Sequence, residues 1–359
     1  MADVTAALYF CCPSCRSGRN VKRSAPDIPG GEWLSVGVQE TLPTTVLTGF
    51  LGSGKTTLLR RALVSPTLAD TAVIINELGE IAIDHHLVDF VEGSVLELPG
   101  GCLCCAVRED LARTLRSLLD RRNAGEVRRF RRVVIETTGL ADPAPILFTL
   151  GTDPMLDHSL HLARVVTLVD AVNGADSLDR FAEAGRQAAL ADTLVITKTD
   201  LARLGPDLVR RLDALNDRAD RILAAETEDA GLVLFGDGKL VTAPPKPSEP
   251  VAVHTHGIEA FGVILEGSLS RLDFARALGG LARERGADLL RVKGIVRFSD
   301  RPDRPAIVQA AQHAMFAPEW LDDWPDQDHR SRLIFIVHDI PRSEILAHFA
   351  FARPLPVRP

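Results

Sequence analysis

Long apolar runs are missing from this 359-residue chain. Nowhere does an uncharged apolar stretch approach the roughly 18 residues that a membrane-spanning helix needs, so no membrane partner is expected. A basic excess is missing too. Forty-one Lys and Arg face 48 Asp and Glu, a net charge of −7, which argues against a large nucleic-acid surface. The start, Met1-Ala2-Asp3-Val4, has neither the basic opening nor the apolar core of a secretory signal. The expected location is therefore the cytoplasm, where thiols stay reduced and clustered cysteines mean metal or redox chemistry. Internal repeats and low-complexity tracts are also lacking. What remains is an ordinary globular composition, 46% hydrophobic and 25% charged, in a chain long enough for two cores.

One stretch organises the rest. Gly49-Phe50-Leu51-Gly52-Ser53-Gly54-Lys55-Thr56-Thr57 satisfies the phosphate-loop pattern G-x-x-x-x-G-K-[ST]. The β-branched run Thr45–Thr48 precedes it as a strand, and Leu58–Leu63 follows it with apolar residues at helical spacing. Gly49, Gly52 and Gly54 let the backbone bend so that N–H groups, including those of Ser53 and Thr57, face one concavity that holds phosphate oxygens. Lys55 reaches the β- and γ-phosphates, and the Thr56 hydroxyl completes a Mg²⁺ shell. The expected ligand is a nucleoside triphosphate.

Residues 1–40 read as a flexible N-terminal extension. Cys12-x-x-Cys15 within it is half of a zinc or redox pair, or a set of incidental thiols on a tail. From residue 41 to 235, apolar runs alternate with helical patterns. Strands are expected at Ala72–Ile75, Val95–Leu98, Val133–Glu136, Val165–Val169 and Leu194–Thr197, and helices at Arg108–Arg121 and Pro206–Leu215. This alternation predicts an α/β fold with a mostly parallel sheet, which binds ligands at the carboxyl ends of its strands. The Pro-rich stretch 236–252 reads as a linker. Residues 253–352 read as a smaller α+β domain, with strands at Ile258–Leu265, Leu290–Phe298, Ala306–Ala310 and Leu333–Val337 and helices at Arg271–Arg285 and Arg342–Phe349.

Four further motifs carry chemistry. Glu136-Thr137-Thr138-Gly139 ends an apolar strand, where the Glu136 carboxylate can hold the Mg²⁺ shell or polarise the attacking water, and the Gly139 N–H can approach the γ-phosphate. Thr197-Lys198-Thr199-Asp200 follows another strand. A carboxylate at Asp200 accepts from both N1–H and N2–H₂ of guanine, an edge adenine lacks, while the Lys198 stem lies over the base. The nucleotide is therefore GTP. Cys102, Cys104 and Cys105 crowd three thiols after a Gly-Gly turn. They suit one soft cation, Zn²⁺ or Cu⁺, or else serve as small buried apolar residues. Asn76–Asp84 is an acidic, glycine-broken loop in which Glu77 is a candidate metal ligand.

Together, GFLGSGKTT, NELGEIAID, GCLCC, ETTG and TKTD, in that order, resemble a CobW-type GTPase of the metallochaperone class, related to the nickel-insertion GTPases. The resemblance covers roughly residues 42–350 and implies a P-loop NTPase domain followed by the family's smaller C-terminal domain. It implies metal ligation by Cys102, Cys104 and Cys105 together with Glu77. It also implies phosphate and Mg²⁺ roles for Lys55 and Thr56, a water or metal role for Glu136, and base recognition by Lys198 and Asp200, with Asn216 near the base. Thr197 stands where the pattern has Asn. Only His254-Thr255-His256 stands where many relatives have a His-rich run. The function expected is GTP-driven delivery of a transition metal, zinc first and cobalt next, to a client metalloprotein, with a nucleotide-dependent homodimer implied by the family. A GTP-dependent regulator with a structural zinc site and a nucleotide kinase are the other classes compatible with the motifs.

Overall fold

The computed structural model describes residues 41–75, 95–97, 104–236, 255–353 and 355–356, with backbone alone at 95–97, 104–109 and 355–356. The expected extension over residues 1–40, most of the expected linker, Glu77 and Cys102 lie outside the described residues.

The β-branched and apolar runs of the first half form seven strands: β1 (Leu42–Gly49), β2 (Thr71–Ile75), β3 (Val95–Glu97), β4 (Arg132–Glu136), β5 (Leu160–Asp170), β6 (Thr193–Thr197) and β7 (Asp220–Leu223). They make one sheet in the order β3-β2-β4-β1-β5-β6-β7, and every pairing is parallel. Strand periodicity sends alternate side chains to two separate cores. Val46, Ile74, Val133, Ile135, Val165, Leu194 and Ile196 share one core with helices α2 (Cys104–Ala124), α3 (Ala144–Thr152), α4 (Pro154–Asp157), α5 (Gly174–Arg180), α6 (Ala182–Ala189) and α7 (Pro206–Asn216). Leu47, Val73, Val134, Val166, Leu168 and Val195 face the other core, with α1 (Lys55–Leu63) and α8 (Ala230–Phe235). With both faces covered the strands read as continuous apolar runs, as buried parallel strands do. Strand order reverses at β1, whose neighbours are β4 and β5, so a crevice opens at its carboxyl end.

Two elements differ from expectation. Helix α2 begins at Cys104 rather than Arg108, which puts Cys104 and Cys105 in a first helical turn instead of a loop. Strand β5 starts at Leu160 because β1 supplies it with a partner from Leu42 onward, a long-range pairing that no local pattern announces.

The second half forms an antiparallel sheet from β8 (Ile258–Leu265), β9 (Arg291–Val296), β10 (Ala306–Ala311), β11 (Ala314–Met315), β12 (Glu319–Trp320), β13 (Ser331–His338) and β14 (Leu355–Pro356). One face, carrying Phe261, Val263, Leu333, Phe335 and Val337, packs on α9 (Arg271–Arg285) and α10 (Arg342–His348). Ile258, Leu290, Ala311 and Ile336 instead join the core of the parallel sheet. The antiparallel sheet is therefore docked on the first, and the described residues form one compact unit. Among the described residues no helix is long and apolar enough to cross a membrane.

Candidate functional site

The crevice beyond β1 gathers most of the residues the motifs single out. The chain leaves β1 through Gly49, Gly52 and Gly54, all at positive φ, and α1 begins at Lys55. At Gly49 a Cβ would lie 2.6 Å from the Leu168 carbonyl oxygen, so only glycine fits where β1 passes β5. Lys55 is buried and folded back, its Nζ donating to the Gly49 carbonyl at 2.7 Å. The Ser53 hydroxyl is buried with no hydrogen-bond partner among the described residues.

Strand β4 delivers Glu136 to the same crevice. Glu136 is 1% exposed, and its Oε1 accepts from the Thr56 hydroxyl at 3.3 Å. The Thr137 hydroxyl donates to that of Thr48 at 2.8 Å, which ties the end of β4 to β1. Gly139 lies directly on the phosphate loop, since a Cβ there would meet the Leu51 nitrogen and Cα at 2.8 Å. The Thr138 hydroxyl, like that of Ser53, is buried without a hydrogen-bond partner among the described residues. Two such hydroxyls on adjoining loops suit a ligand rich in acceptor oxygens.

Strand β6 brings in the third segment. The Thr197 hydroxyl donates to the Ser53 carbonyl at 2.7 Å and so ties this segment to the phosphate loop. The threonine that replaces the pattern's asparagine thus supplies a bond between the two loops. Lys198, at φ 57, turns its ammonium onto the carboxylate of Asp170 at 2.6 Å. Burial pushes the Asp170 carboxyl up, but Lys198, the Val172 N–H and the Asn173 amide outweigh it and hold the group below its ordinary range. Asp200 is exposed in the turn that follows, and Thr57 is exposed on α1.

Asn216 is not brought to this crevice, contrary to the expectation of a place near the base. Its Nδ2 donates to the carbonyls of Ala188, Ala189 and Ala191, and its Oδ1 accepts from the N–H groups of Arg218 and Ala219. These partners lie at the amino ends of β6 and β7, the edge opposite the phosphate loop. Asn216 is 3% exposed and fastens α7 to the chain that enters β6, a structural staple. The backbone of Cys104 and Cys105 lies in α2. Among the described residues no three His, Cys, Asp or Glu side chains converge on a common point.

Sequence reading missed two residues that shape the site. Gln187, on α6 and 1% exposed, donates its amide to the carbonyls of Gly139 and Ala141 at 3.2 and 2.9 Å. Asp170 anchors Lys198. No motif flags either residue. The available signal was a polar residue amid the apolar run of a helix and an acid at the tip of a buried strand.

Comparison with known proteins places these features in context. Residues 43–223 match the family described as CobW/HypB/UreG, nucleotide-binding domain, and residues 258–353 match the cobalamin synthesis protein cobW C-terminal domain. The chain is 33% identical to the zinc chaperone YjiA of Escherichia coli K12 over 317 residues, 87% of this chain and 99% of that one. It is 29% identical to the zinc chaperone CobW of a Sinorhizobium species, with 86% and 96% covered. The crystal structure of Zn(II)-bound YjiA GTPase from E. coli superposes with a TM-score of 0.65 at 30% identity, over 88% of this chain and 99% of that one.

Proposed function

Since the chain belongs to the CobW/HypB/UreG family, we propose that it is a GTPase that uses the nucleotide cycle to deliver zinc, with cobalt the next candidate, to a client metalloprotein. The observation that carries the nucleotide half is the Thr197–Ser53 hydrogen bond. It sets the Lys198–Asp200 segment against the phosphate loop, so the base and phosphates of one nucleotide fall on adjoining loops.

In this reading the N–H groups from Gly49 to Thr57 cradle the phosphates, and Lys55 exchanges the Gly49 carbonyl for phosphate oxygens. Asp200 accepts from the two donors of guanine, with the Lys198 stem over the ring and its ammonium anchored by Asp170. The Thr56 hydroxyl and the Glu136 carboxylate, 3.3 Å apart, are hard oxygen donors that fit Mg²⁺. That ion, when bound, would neutralise charge on the β- and γ-phosphates. Glu136 orients the attacking water, and Gly139, held by Gln187, presents its N–H to the γ-phosphate.

Zinc is the cargo. Cys102, Cys104 and Cys105, with Glu77, are the ligands we propose. Leu51, Leu140, Val172 and Leu201 are each exposed on the loops that follow β1, β4, β5 and β6, apolar surface suited to a client or a second copy of the chain. We assign residues 41–235 to the nucleotide-binding part, 236–252 to a linker and 253–352 to the C-terminal part, and place the protein in the cytoplasm.

Competition with a chromophoric chelator, run on nucleotide-free, GTP-analogue and GDP forms, tests the proposal. Coupling on the usual scale of about 1–3 kcal/mol shifts zinc affinity roughly 5- to 150-fold between states. Identical affinity in all three forms leaves a structural zinc site in a GTP-dependent regulator and removes the chaperone reading.

A further inference from the structure

Helix α1, which opens with the phosphate-loop lysine, carries near its other end a cation whose targets lie far along the chain. The Arg61 guanidinium donates through Nη1 to the Ala224 carbonyl at 3.2 Å and through Nη2 to the Thr227 carbonyl at 3.0 Å. Both acceptors are main-chain oxygens, so the fork fixes backbone rather than another charge.

Those two carbonyls bracket the turn that leaves β7. Ala224–Glu226 form one 3₁₀ turn, and the Thr227 hydroxyl closes it onto the Leu223 carbonyl at 3.2 Å. Strand β7 lies parallel to β6 with Leu223 beside Ile196, so the turn starts level with Thr197 and packs against the end of β6. Lys198–Asp200 leave β6 at the same edge. The segments that follow β6 and β7 therefore border one another at the carboxyl edge of the sheet, where ligands of this fold class bind. Ala224 and Ala225 carry small side chains, and Ala225 is exposed, so the turn offers a ligand mostly backbone. Further on the chain is secured separately, because Asp229 accepts from the Gly231 N–H at 2.7 Å and from the Thr67 hydroxyl. Arg61 ties the stretch between β7 and that cap to α1.

We propose that Arg61 is a positioning residue for base recognition, holding the 224–227 turn as a wall of the guanine site beside Lys198 and Asp200. The inference rests on the reading that places guanine at Lys198–Asp200. One helix then begins at the lysine for the phosphates and secures the base side near its end. A guanidinium suits the task, since its planar fork spans two carbonyls of one turn, whereas an ammonium is a point donor. Both bonds are exposed to water, so their loss should shift the turn and leave the fold intact.

Calorimetric titration of the full chain with GDP, ADP and pyrophosphate tests this in the wild type, Arg61→Met and Arg61→Lys. Pyrophosphate occupies the phosphate loop without a base. The wild type should prefer GDP to ADP. Arg61→Met, which keeps an unbranched stem, should weaken GDP about three- to tenfold and leave pyrophosphate within about twofold. Arg61→Lys should weaken GDP as well, because it keeps the charge but not the fork. Unchanged GDP affinity in Arg61→Met overturns the proposal. So does full GDP affinity in Arg61→Lys, which makes the effect one of charge alone. An equal loss for GDP and pyrophosphate also overturns it, since that marks a general loosening of the phosphate loop. A wild type that binds ADP as tightly as GDP refutes the guanine reading instead, and the assignment of Arg61 falls with it.

Discussion

Replacing Thr197 with Val keeps the volume and branching of the side chain but deletes the donor that ties the base segment to the phosphate loop. Thr197 is 7% exposed and Ser53 2%, so water reaches this contact poorly. The hydroxyl sits 2.7 Å from the Ser53 carbonyl oxygen, and its secondary approach to the Val169 carbonyl is 3.4 Å. A hydrogen bond that is lost and then replaced by water costs about 0.5–1.5 kcal/mol, whereas one whose partner stays buried costs about 1–3 kcal/mol. The burial selects the upper range. Because the bond joins the two halves of the nucleotide site, we predict that Thr197→Val weakens GDP and GTP binding about 5- to 150-fold, the same range expressed as affinity. The two nucleotides should suffer alike, since the bond lies away from the γ-phosphate. Titration with a fluorescent GDP analogue, with GTP and ATP as competitors, reads both the loss and any change in base preference. Thr197→Asn provides the control, because an amide can donate from the same place, and should stay within a few-fold of wild type. A thermal melt separates a loosened site from a loosened fold. If Thr197→Val binds GDP as tightly as wild type while melting normally, the two loops are positioned by something other than this bond, and the geometric basis for a joint base-and-phosphate site fails.

Lys55→Ala should abolish GTP hydrolysis, since the developing phosphate charge loses its fixed cation, and single-turnover phosphate release measures it. Glu136→Ala should lower kcat far more than it weakens GTP binding, and hydrolysis at the wild-type rate would refute its role. Replacing Cys104 and Cys105 together with Ser should remove tight zinc binding and leave GTP affinity nearly intact, and in the wild type zinc affinity should fall as pH drops below the thiol range. Asp192→Asn should destabilise the fold by about 3–5 kcal/mol in denaturant titrations, because Arg291 and Lys293 lose their shared counter-charge. Burial alone would raise the Asp192 carboxyl, but Arg291 and Lys293 hold it far below its ordinary range. Its contribution is therefore complete above about pH 4 and lost as pH falls further, so the Asn variant should show a flatter acid limb.

The crevice was legible because each of its parts is a local motif at the end of a strand. Once β1, β4 and β6 align in one parallel sheet, Gly49, Glu136 and Thr197 reach the same edge without any further information. Gln187 and Asp170 were not legible, because their roles are defined by what they hold, Gly139 and Lys198, and those contacts span 48 and 28 residues. Asn216 shows the opposite error. A place in a sequence pattern put it near the base, yet side-chain amides bind whichever backbone they meet, and at the end of α7 this one meets the carbonyls of Ala188, Ala189 and Ala191.

The docked edge was hidden for a deeper reason. In β9, Arg291 and Lys293 alternate with apolar Val292, the pattern of a strand with one face in water. Arg291 is nonetheless 3% exposed, and it donates to the Leu190 carbonyl and Asp192 across the junction between the two sheets. Alternation tells which residues share a face, not what covers that face. Only the partner decides whether a row of cations is solvated or buried, and here the partner is a carboxylate about 100 residues earlier in the chain. Helix α6 connects that junction to the nucleotide crevice. Its Gln187 amide holds Gly139, and the Leu190 carbonyl at its end accepts from Arg291.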